Sequence, residues 1–215
     1  MLKVLYVCTA NICRSPSAAA VLQDAGLPGV EVRSAGVAAA VGSPGCSMAP
    51  ALAGRTHASQ PLTFELVQWA DLILTAAREH QAAVLAIDPS ARTRTFTIRQ
   101  AGRLSQWLVA SGMLAAARSG GPFAPGDPRN DVEPLPDAAG RGRWLVSELD
   151  AARGMAPVAP EQPARRRRRD SGADMHPDDV PDPHVLGMSW HDTAARQIED
   201  ATKPLVEVVR ELAAL

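Results

Sequence analysis

Short apolar runs alternate with helix-periodic segments along the first half of the chain. The run from Leu2 to Val7 is rich in β-branched and apolar residues, which is typical of a strand buried on both faces. From Ser15 to Ala25 the apolar positions follow helical spacing. Further strands are predicted at residues 30–36, 71–76 and 93–98, and further helices at 47–54, 63–70, 78–87, 99–113 and 190–215. This alternation predicts a three-layer α/β fold built around a parallel sheet.

The pattern breaks after about Gly112. Residues 112–177 are rich in loop-forming residues, with one helix predicted within 138–154 and a proline- and charge-rich stretch after it that we expect to be mobile. Five consecutive arginines at 165–169 have acidic residues on both sides, which favours a solvated linker over a tail that binds nucleic acid. We therefore expect a single domain over 1–215, with a loop-rich or partly disordered insertion at about 112–177.

Composition narrows the function classes. Of the 215 residues 46% are apolar, which is enough for a packed core, and the net charge of −1 gives no general attraction to nucleic acid or to a membrane surface. Three cysteines are too few for a disulfide scaffold, so we expect a cytoplasmic protein in which a cysteine among polar groups carries chemistry. No apolar stretch is long enough for a signal peptide or a membrane span.

The first predicted strand and helix are joined by a stretch that is suited to bind an anion. A helix N-terminus offers unpaired N–H groups and a partial positive charge, and ligands of parallel sheets bind at the carboxyl ends of the strands. The connection between Cys8 and Arg14, here called the junction loop (Thr9–Cys13), is short enough for its N–H groups to converge on one oxyanion. Arg14 adds a planar fork that matches phosphate oxygens, and Asn11 tolerates a left-handed backbone. The predicted phosphate-binding residues are Thr9, Ala10, Asn11, Ile12, Cys13, Arg14 and Ser15.

A cysteine at the base of this loop is a candidate nucleophile. The helix N-terminus and Arg14 both favour the thiolate form of Cys8, which would face the phosphorus of a bound phosphate ester without help from a metal. Ser15 would donate its hydroxyl hydrogen to that thiolate. The alternative is that Cys8 is a buried residue at a strand end and Arg14 a solvated helix start, since a bare C-x5-R pattern also occurs by chance.

The stretch VLYVCTANICRSPSAAAVL (4–22) closely resembles the phosphate-binding loop of low-molecular-weight protein-tyrosine phosphatases. VRSAG (32–36) resembles the second strand of that family, HASQPLTFELVQWADLILT (57–75) its histidine-led segment, and DDVPDP (178–183) its loop with the general acid. We call 178–183 the Asp-Pro loop. The resemblance covers Met1 to about Leu108 and Asp178 to Leu215. It implies a four-stranded parallel sheet with helices on both faces and a cysteine-dependent phosphomonoesterase.

The resemblance also assigns roles to single residues. Asp182 corresponds to the general acid, with Asp178 and Asp179 as fallback candidates. Ser34 and His57 correspond to residues that support the asparagine of the loop. Cys13 corresponds to a neighbour that forms a reversible disulfide with the nucleophile, while a small buried residue is the plainer interpretation.

Two family features are replaced here. His184 and Val185 stand where the family usually has tyrosines that flank the substrate ring, and the single tyrosine of the chain is Tyr6. This difference weakens the expectation that phosphotyrosine is preferred over other phosphate esters.

The expected partner is a phosphorylated protein or a small phosphate ester, with no nucleic acid, membrane, cofactor or metal. The stretch His176–His184 contains two histidines and three aspartates, yet its prolines prevent a regular ligand spacing. Alternatives that stay open are an arsenate reductase that uses a small external thiol, and a non-catalytic module that only binds phosphate. The sequence does not indicate an oligomeric state.

Overall fold

The computed structural model describes residues 2–119, 124, 126–131, 133–137, 139–156 and 175–214. Four strands are present in this part of the chain: β1 (Leu2–Cys8), β2 (Val30–Gly36), β3 (Leu72–Thr75) and β4 (Thr95–Thr97). Each lies within or next to a segment predicted as a strand. The helices are α1 (Arg14–Asp24), α2 (Phe64–Trp69), α3 (Arg78–Ile87), α4 (Ile98–Ala110), α5 (Met113–Ser119), α6 (Arg141–Ala151), α7 (Pro183–Leu186) and α8 (Trp190–Ala213).

Two predicted helices differ from the observed ones. The helix expected at 47–54 is a single 3₁₀ turn over Pro50–Leu52. The helix expected to reach residue 113 ends at Ala110, because Gly112 adopts a φ of +76° that an α-helix does not accommodate. α5 then begins at Met113, in a segment where we expected loop structure.

The four strands form one parallel sheet in the order β2-β1-β3-β4. β1 is central, with Cys8 opposite Gly36 of β2 and Val7 opposite Thr75 of β3. The carboxyl ends of β1, β2 and β3 therefore meet at one edge, where ligands of parallel sheets bind. This topology confirms the predicted α/β class.

Alternate residues of β1 pack into two separate cores. Val4 and Tyr6 belong to the larger core, with buried side chains from α1, α4, α6 and α8. Leu5 and Val7 belong to the smaller one, with Val67 of α2 and Val84 of α3. Since successive side chains of a strand point to opposite faces, helices cover both faces of the sheet. The fold thus has the three layers that were predicted.

The described part of 112–177 adds two helices to the larger core. Trp144, Leu145 and Leu149 of α6 are buried there, together with Met113 and Leu114 of α5. The proline-rich stretch and the arginines at 165–169 lie outside the described residues.

The long helix α8 packs closely on α4. A side chain at Gly102 of α4 would place its Cβ 2.2 Å from the carbonyl oxygen of Ala201 of α8, so only glycine permits this approach. In the described residues no helix combines the length and hydrophobicity that a bilayer crossing requires.

Candidate active site

The junction loop connects the end of β1 to the start of α1 and has unused backbone donors. The N–H groups of Thr9–Cys13 donate to no backbone carbonyl of the described residues, and regular helical bonding resumes where Ser17 N donates to Cys13 O at 3.0 Å. Asn11 has a φ of +54°, and it is the one non-glycine residue with a left-handed backbone in the described chain. A curled loop with free N–H groups at a helix N-terminus is a site for a tetrahedral anion.

Cys8 lies at the base of this loop with its sulfur against Ser15. The Sγ of Cys8 and the Oγ of Ser15 are 3.0 Å apart, and both side chains are buried. Ser15 Oγ accepts a hydrogen bond from Asn11 Nδ2 at 3.0 Å, so its own hydrogen is left for Cys8 Sγ or for Ala35 O at 3.3 Å. A sulfur anion at Cys8 would therefore have a hydroxyl donor beside it.

Asn11 is held from every side by hydrogen bonds. Its Nδ2 also donates to Ser34 Oγ at 2.9 Å, and its Oδ1 accepts from Gln60 N at 3.0 Å. The backbone carbonyl of Asn11 lies 2.6 Å from His57 Nε2. The structure thus brings Ser34 and His57 to the residue they were expected to support, and it adds Gln60, which the sequence gave no reason to single out.

Gly36, at the end of β2, lets the junction loop lie flat against the sheet edge. A Cβ at Gly36 would lie 2.6 Å from Thr9 O and 2.8 Å from Asn11 N. Backbone atoms cannot give way as a flexible side chain would, so the path of the loop depends on this glycine.

Arg14 reaches from α1 to the Asp-Pro loop. Its guanidinium forms an ion pair with the Asp182 carboxylate and donates to Val180 O at 3.3 Å. It also donates to Thr9 Oγ1 at 3.1 Å. The guanidinium is 4% exposed and Asp182 is 25% exposed, so the pair lies at the mouth of the site with the carboxylate on the outer side. The two residues predicted to bind phosphate and to supply the proton are therefore neighbours.

His80, at the start of α3, is a site residue that the sequence did not indicate. Its Nδ1 accepts from Ala77 N at 3.1 Å, so in the neutral ring the hydrogen is on Nε2, which donates to Thr9 Oγ1 at 2.9 Å. Burial and the nearby Arg14 charge lower the pKa of His80 to about 4. A neutral His80 thus helps to hold the Thr9 hydroxyl. Its position after β3, which pairs with β1, is the signal that could have identified it.

The Asp-Pro loop is fixed by its other acidic residues. Asp178 pairs with Arg103 at 3.0 Å, and Asp179 Oδ1 accepts from Arg78 N at 2.9 Å. Val180 N donates to Ala76 O at 2.7 Å. Asp178 and Asp179, the fallback candidates for the general acid, are thus engaged with α3 and α4, and Asp182 is the carboxylate that faces Arg14.

Cys13 and Cys46 lie side by side behind the junction loop, and Cys46 N donates to Ile12 O at 2.6 Å. All three cysteines of the chain are free thiols. Burial and the neighbouring Cys46 raise the pKa of Cys13 to about 12, which favours its thiol form in the metal-free protein. A thiol is a poorer nucleophile than a thiolate.

The rim of the site carries no tyrosine. Tyr6 is completely buried in the larger core, and His184 and Val185 are exposed just after Asp182. Ala10 and Ile12 are half-buried in the junction loop. A tyrosine that flanks the leaving group, as in the family pattern, is therefore not present here.

Comparison with known proteins agrees with this geometry. The sequence model of the family "Low molecular weight phosphotyrosine protein phosphatase" matches residues 3–106. A protein-arginine-phosphatase of Geobacillus stearothermophilus is 41% identical over 103 residues, which are 46% of this chain and 70% of that protein. The low molecular weight protein-tyrosine-phosphatase Etp of Escherichia coli K12 is 42% identical over 111 residues, which are 49% of this chain and 70% of that protein.

Solved structures agree on the fold. The YwlE arginine phosphatase from Geobacillus stearothermophilus superimposes with a TM-score of 0.58, at 24% identity, over 96% of this chain and 92% of that one. Wzb of Vibrio vulnificus in complex with benzylphosphonate gives a TM-score of 0.55, at 24% identity, over 96% of this chain and 97% of that one. With relatives above 40% identity that are covered over 70% of their length, the chain belongs to the low-molecular-weight phosphotyrosine protein phosphatase family.

Proposed function

We propose that this phosphatase removes phosphate from phosphotyrosine in proteins through a cysteinyl-phosphate intermediate. Cys8 is the nucleophile, Arg14 and the N–H groups of the junction loop bind the phosphoryl oxygens, and Asp182 is the general acid. The observation that carries this proposal is the buried sulfur of Cys8, 3.0 Å from the Ser15 hydroxyl, at the base of a loop whose N–H groups donate to no backbone carbonyl in the described part of the chain.

In the first step the Cys8 thiolate attacks phosphorus, and the bond from phosphorus to the ester oxygen breaks. Charge on the three non-bridging oxygens is stabilised by donors that are already in place, because Asn11 fixes the loop through four groups. The protonated carboxyl group of Asp182 gives its proton to the leaving oxygen, so the product is a neutral phenol.

In the second step water attacks the phosphorus of the cysteinyl phosphate. The Asp182 carboxylate accepts a proton from this water, and the bond from phosphorus to sulfur breaks to release inorganic phosphate. The Ser15 hydroxyl donates to the departing sulfur and stabilises the thiolate. The enzyme returns to its starting state, and the cycle uses no other reactant.

Exposed apolar side chains that follow the Asp-Pro loop support an aromatic leaving group. Val185 and Met188 are large, apolar and exposed, and both lie within six residues of Asp182 in the sequence. A phenyl ring would bury surface against such side chains, at about 25 cal/mol per Å². One relative of 41% identity is nevertheless named a protein-arginine-phosphatase, so phosphoarginine is the second candidate substrate. A small aryl phosphate should also be hydrolysed.

The two other functions considered for the sequence are not favoured. The relatives are named as phosphatases, which favours hydrolysis over arsenate reduction and over phosphate binding without turnover. We propose a cytoplasmic location because the reaction needs a reduced Cys8, and the three thiols are free.

A substrate comparison tests the proposal. The wild-type protein is given p-nitrophenyl phosphate, a phosphotyrosine peptide and the matching phosphoarginine peptide, and released phosphate is measured. We expect hydrolysis of the first two, with kcat/KM for phosphotyrosine at least tenfold above that for phosphoarginine. Cys8→Ser should abolish all activity. A preference for phosphoarginine would make phosphoarginine the substrate in place of phosphotyrosine. An active Cys8→Ser variant would overturn the mechanism.

A further inference from the structure

Four metal-ligating side chains meet behind the junction loop. They are Cys13 at the end of that loop, Cys46 from the segment after β2, His184 of α7 and His191 of α8. One ligand atom from each, two sulfurs and two ring nitrogens, all lie within 4.8 Å of one another. We propose that these four residues bind one zinc ion. We expected no metal from the stretch His176–His184, and three of the four donors lie outside it.

His191 is the strongest indication of a ligand. Its Nδ1 lies 3.0 Å from Met188 O, which places the ring hydrogen there and leaves a lone pair on Nε2. The residue is 7% exposed, and its Nε2 is buried without a hydrogen-bond partner among the described residues. A histidine that donates one N–H to a backbone carbonyl and presents the other nitrogen unpaired has the usual arrangement of a metal ligand.

The spacing of the four atoms suits a tetrahedral ion. With Zn–S of about 2.3 Å and Zn–N of about 2.0 Å, the edges of the tetrahedron measure roughly 3.3 to 3.8 Å. The observed upper limit of 4.8 Å exceeds the longest of these edges by about 1 Å. His184 is exposed, Cys46 is half-buried, and the rings of His184 and His191 already meet edge to face at 5.3 Å.

The donor set selects the kind of metal and its role. Two sulfurs and two imidazole nitrogens with no carboxylate favour zinc over magnesium or calcium, which take oxygen ligands. Four protein ligands close the coordination shell, so the ion is structural. The ion would connect Cys13 of the junction loop to His184 of α7. His184 is two residues from Asp182. The zinc site would therefore fix the general acid opposite Arg14 and act as a positioning device.

Metal binding is best measured with the nucleophile removed. In the full-length Cys8→Ser protein, treated with a chelator and kept reduced, zinc is titrated against a chromophoric chelator. We expect one equivalent to bind and the melting temperature to rise with zinc. Cobalt in place of zinc should give a thiolate-to-metal charge-transfer band and the intense visible bands of a tetrahedral site.

Variants of the ligands locate the site. Added to Cys8→Ser, either Cys46→Ser or His191→Gln should weaken zinc binding on the order of 100-fold, while His176→Gln should leave it unchanged. Circular dichroism verifies that each variant is folded. Unchanged affinity in Cys46→Ser or His191→Gln would overturn the proposal. So would a missing cobalt–thiolate band in the parent. None of these results depends on phosphatase activity.

Discussion

The guanidinium of Arg14 and the carboxylate of Asp182 form an ion pair across 168 residues of sequence. α1 holds the arginine at the end of β1, and the Asp-Pro loop brings the aspartate back to it through the hydrogen bond from Val180 N to Ala76 O, 2.7 Å long. In the proposed reaction the same arginine binds the phosphoryl oxygens. The ion pair therefore positions the proposed acid beside the phosphorus before chemistry begins.

Replacing Asp182 by asparagine should slow the first chemical step. The amide keeps the shape of the side chain and cannot give a proton to the leaving group, so kcat for a phosphotyrosine peptide should fall by ~100-fold or more. The loss should be smaller for a phosphate ester with a more acidic leaving group, which needs less proton transfer. Steady-state kinetics on a series of aryl phosphates measure this dependence.

Asp179→Asn is the matched control for Asp182→Asn. Asp179 lies in the same loop, and its carboxylate accepts a hydrogen bond from Arg78 N of α3 at 2.9 Å. It should keep kcat within a few-fold of wild type. Equal losses in the two variants would show that the loop as a whole matters and that Asp182 is not the acid.

Two substitutions at Asn11 distinguish the effect of its left-handed backbone from the effect of its side-chain hydrogen bonds. Asn11→Ala removes the hydrogen bonds to Ser15, Ser34 and Gln60 and keeps a side chain at a φ of +54°, while Asn11→Gly removes the same bonds and accepts that φ. Loss of the buried bonds should cost ~1–3 kcal/mol in both variants. Asn11→Ala should be less stable than Asn11→Gly by about 1 kcal/mol.

Urea unfolding and kcat/KM of both Asn11 variants measure the two effects. Both should lose activity, because the loop donors are no longer fixed. If Asn11→Gly kept wild-type kcat/KM, the side-chain hydrogen bonds would have no part in positioning the loop.

Gly36→Ala should displace the junction loop. The new methyl group would lie 2.6 Å from Thr9 O and 2.8 Å from Asn11 N, so either the loop or β2 must move. We expect a loss of ~1–3 kcal/mol in the free energy of unfolding and a large fall in kcat/KM. Gly154→Ala, where a Cβ meets no heavy atom of the described residues within 4 Å, should change neither quantity. Wild-type kinetics in Gly36→Ala would contradict the close approach.

Local patterns predicted the local parts of this fold. The apolar run of β1 and the helical spacing of α3 predicted elements close to those observed, because each pattern is contained in one short stretch of sequence. α5 was not predicted, since it follows Gly112 in a segment rich in loop-forming residues. The contact between His80 and Thr9 could not be predicted either. It depends on β3 lying beside β1, a pairing between distant segments that no short stretch of sequence records.

The role of Asp182 came from the resemblance to a family, and its contact with Arg14 came from the structure. The family model ends at residue 106, so it does not reach the Asp-Pro loop. The four proposed zinc ligands could not be predicted from the sequence either. Cys13, Cys46, His184 and His191 come from separate loops and helices, and only the folded chain brings their ligand atoms together.

The buried His80 should make stability depend on pH. Burial and the Arg14 charge lower its pKa from 6.5 to about 4 in the folded protein, whereas the unfolded chain keeps the ordinary value. Between these two values the unfolded state binds a proton that the folded state does not, so the free energy of unfolding falls as the pH falls from 6.5 toward 4. The lowered pKa of His80 therefore makes the free energy of unfolding roughly 3 kcal/mol higher above pH 6.5 than below pH 4.

Urea unfolding at a series of pH values tests this linkage by comparing His80→Gln with wild type. The variant loses the hydrogen bonds to Ala77 N and Thr9 Oγ1, so it should be less stable at pH 7. The difference between the two proteins should shrink steadily below pH 6.5, since the variant has no imidazole to protonate. A constant difference from pH 7 to pH 4.5 would show that His80 titrates normally in the folded protein, and its neutral role beside Thr9 would then be wrong.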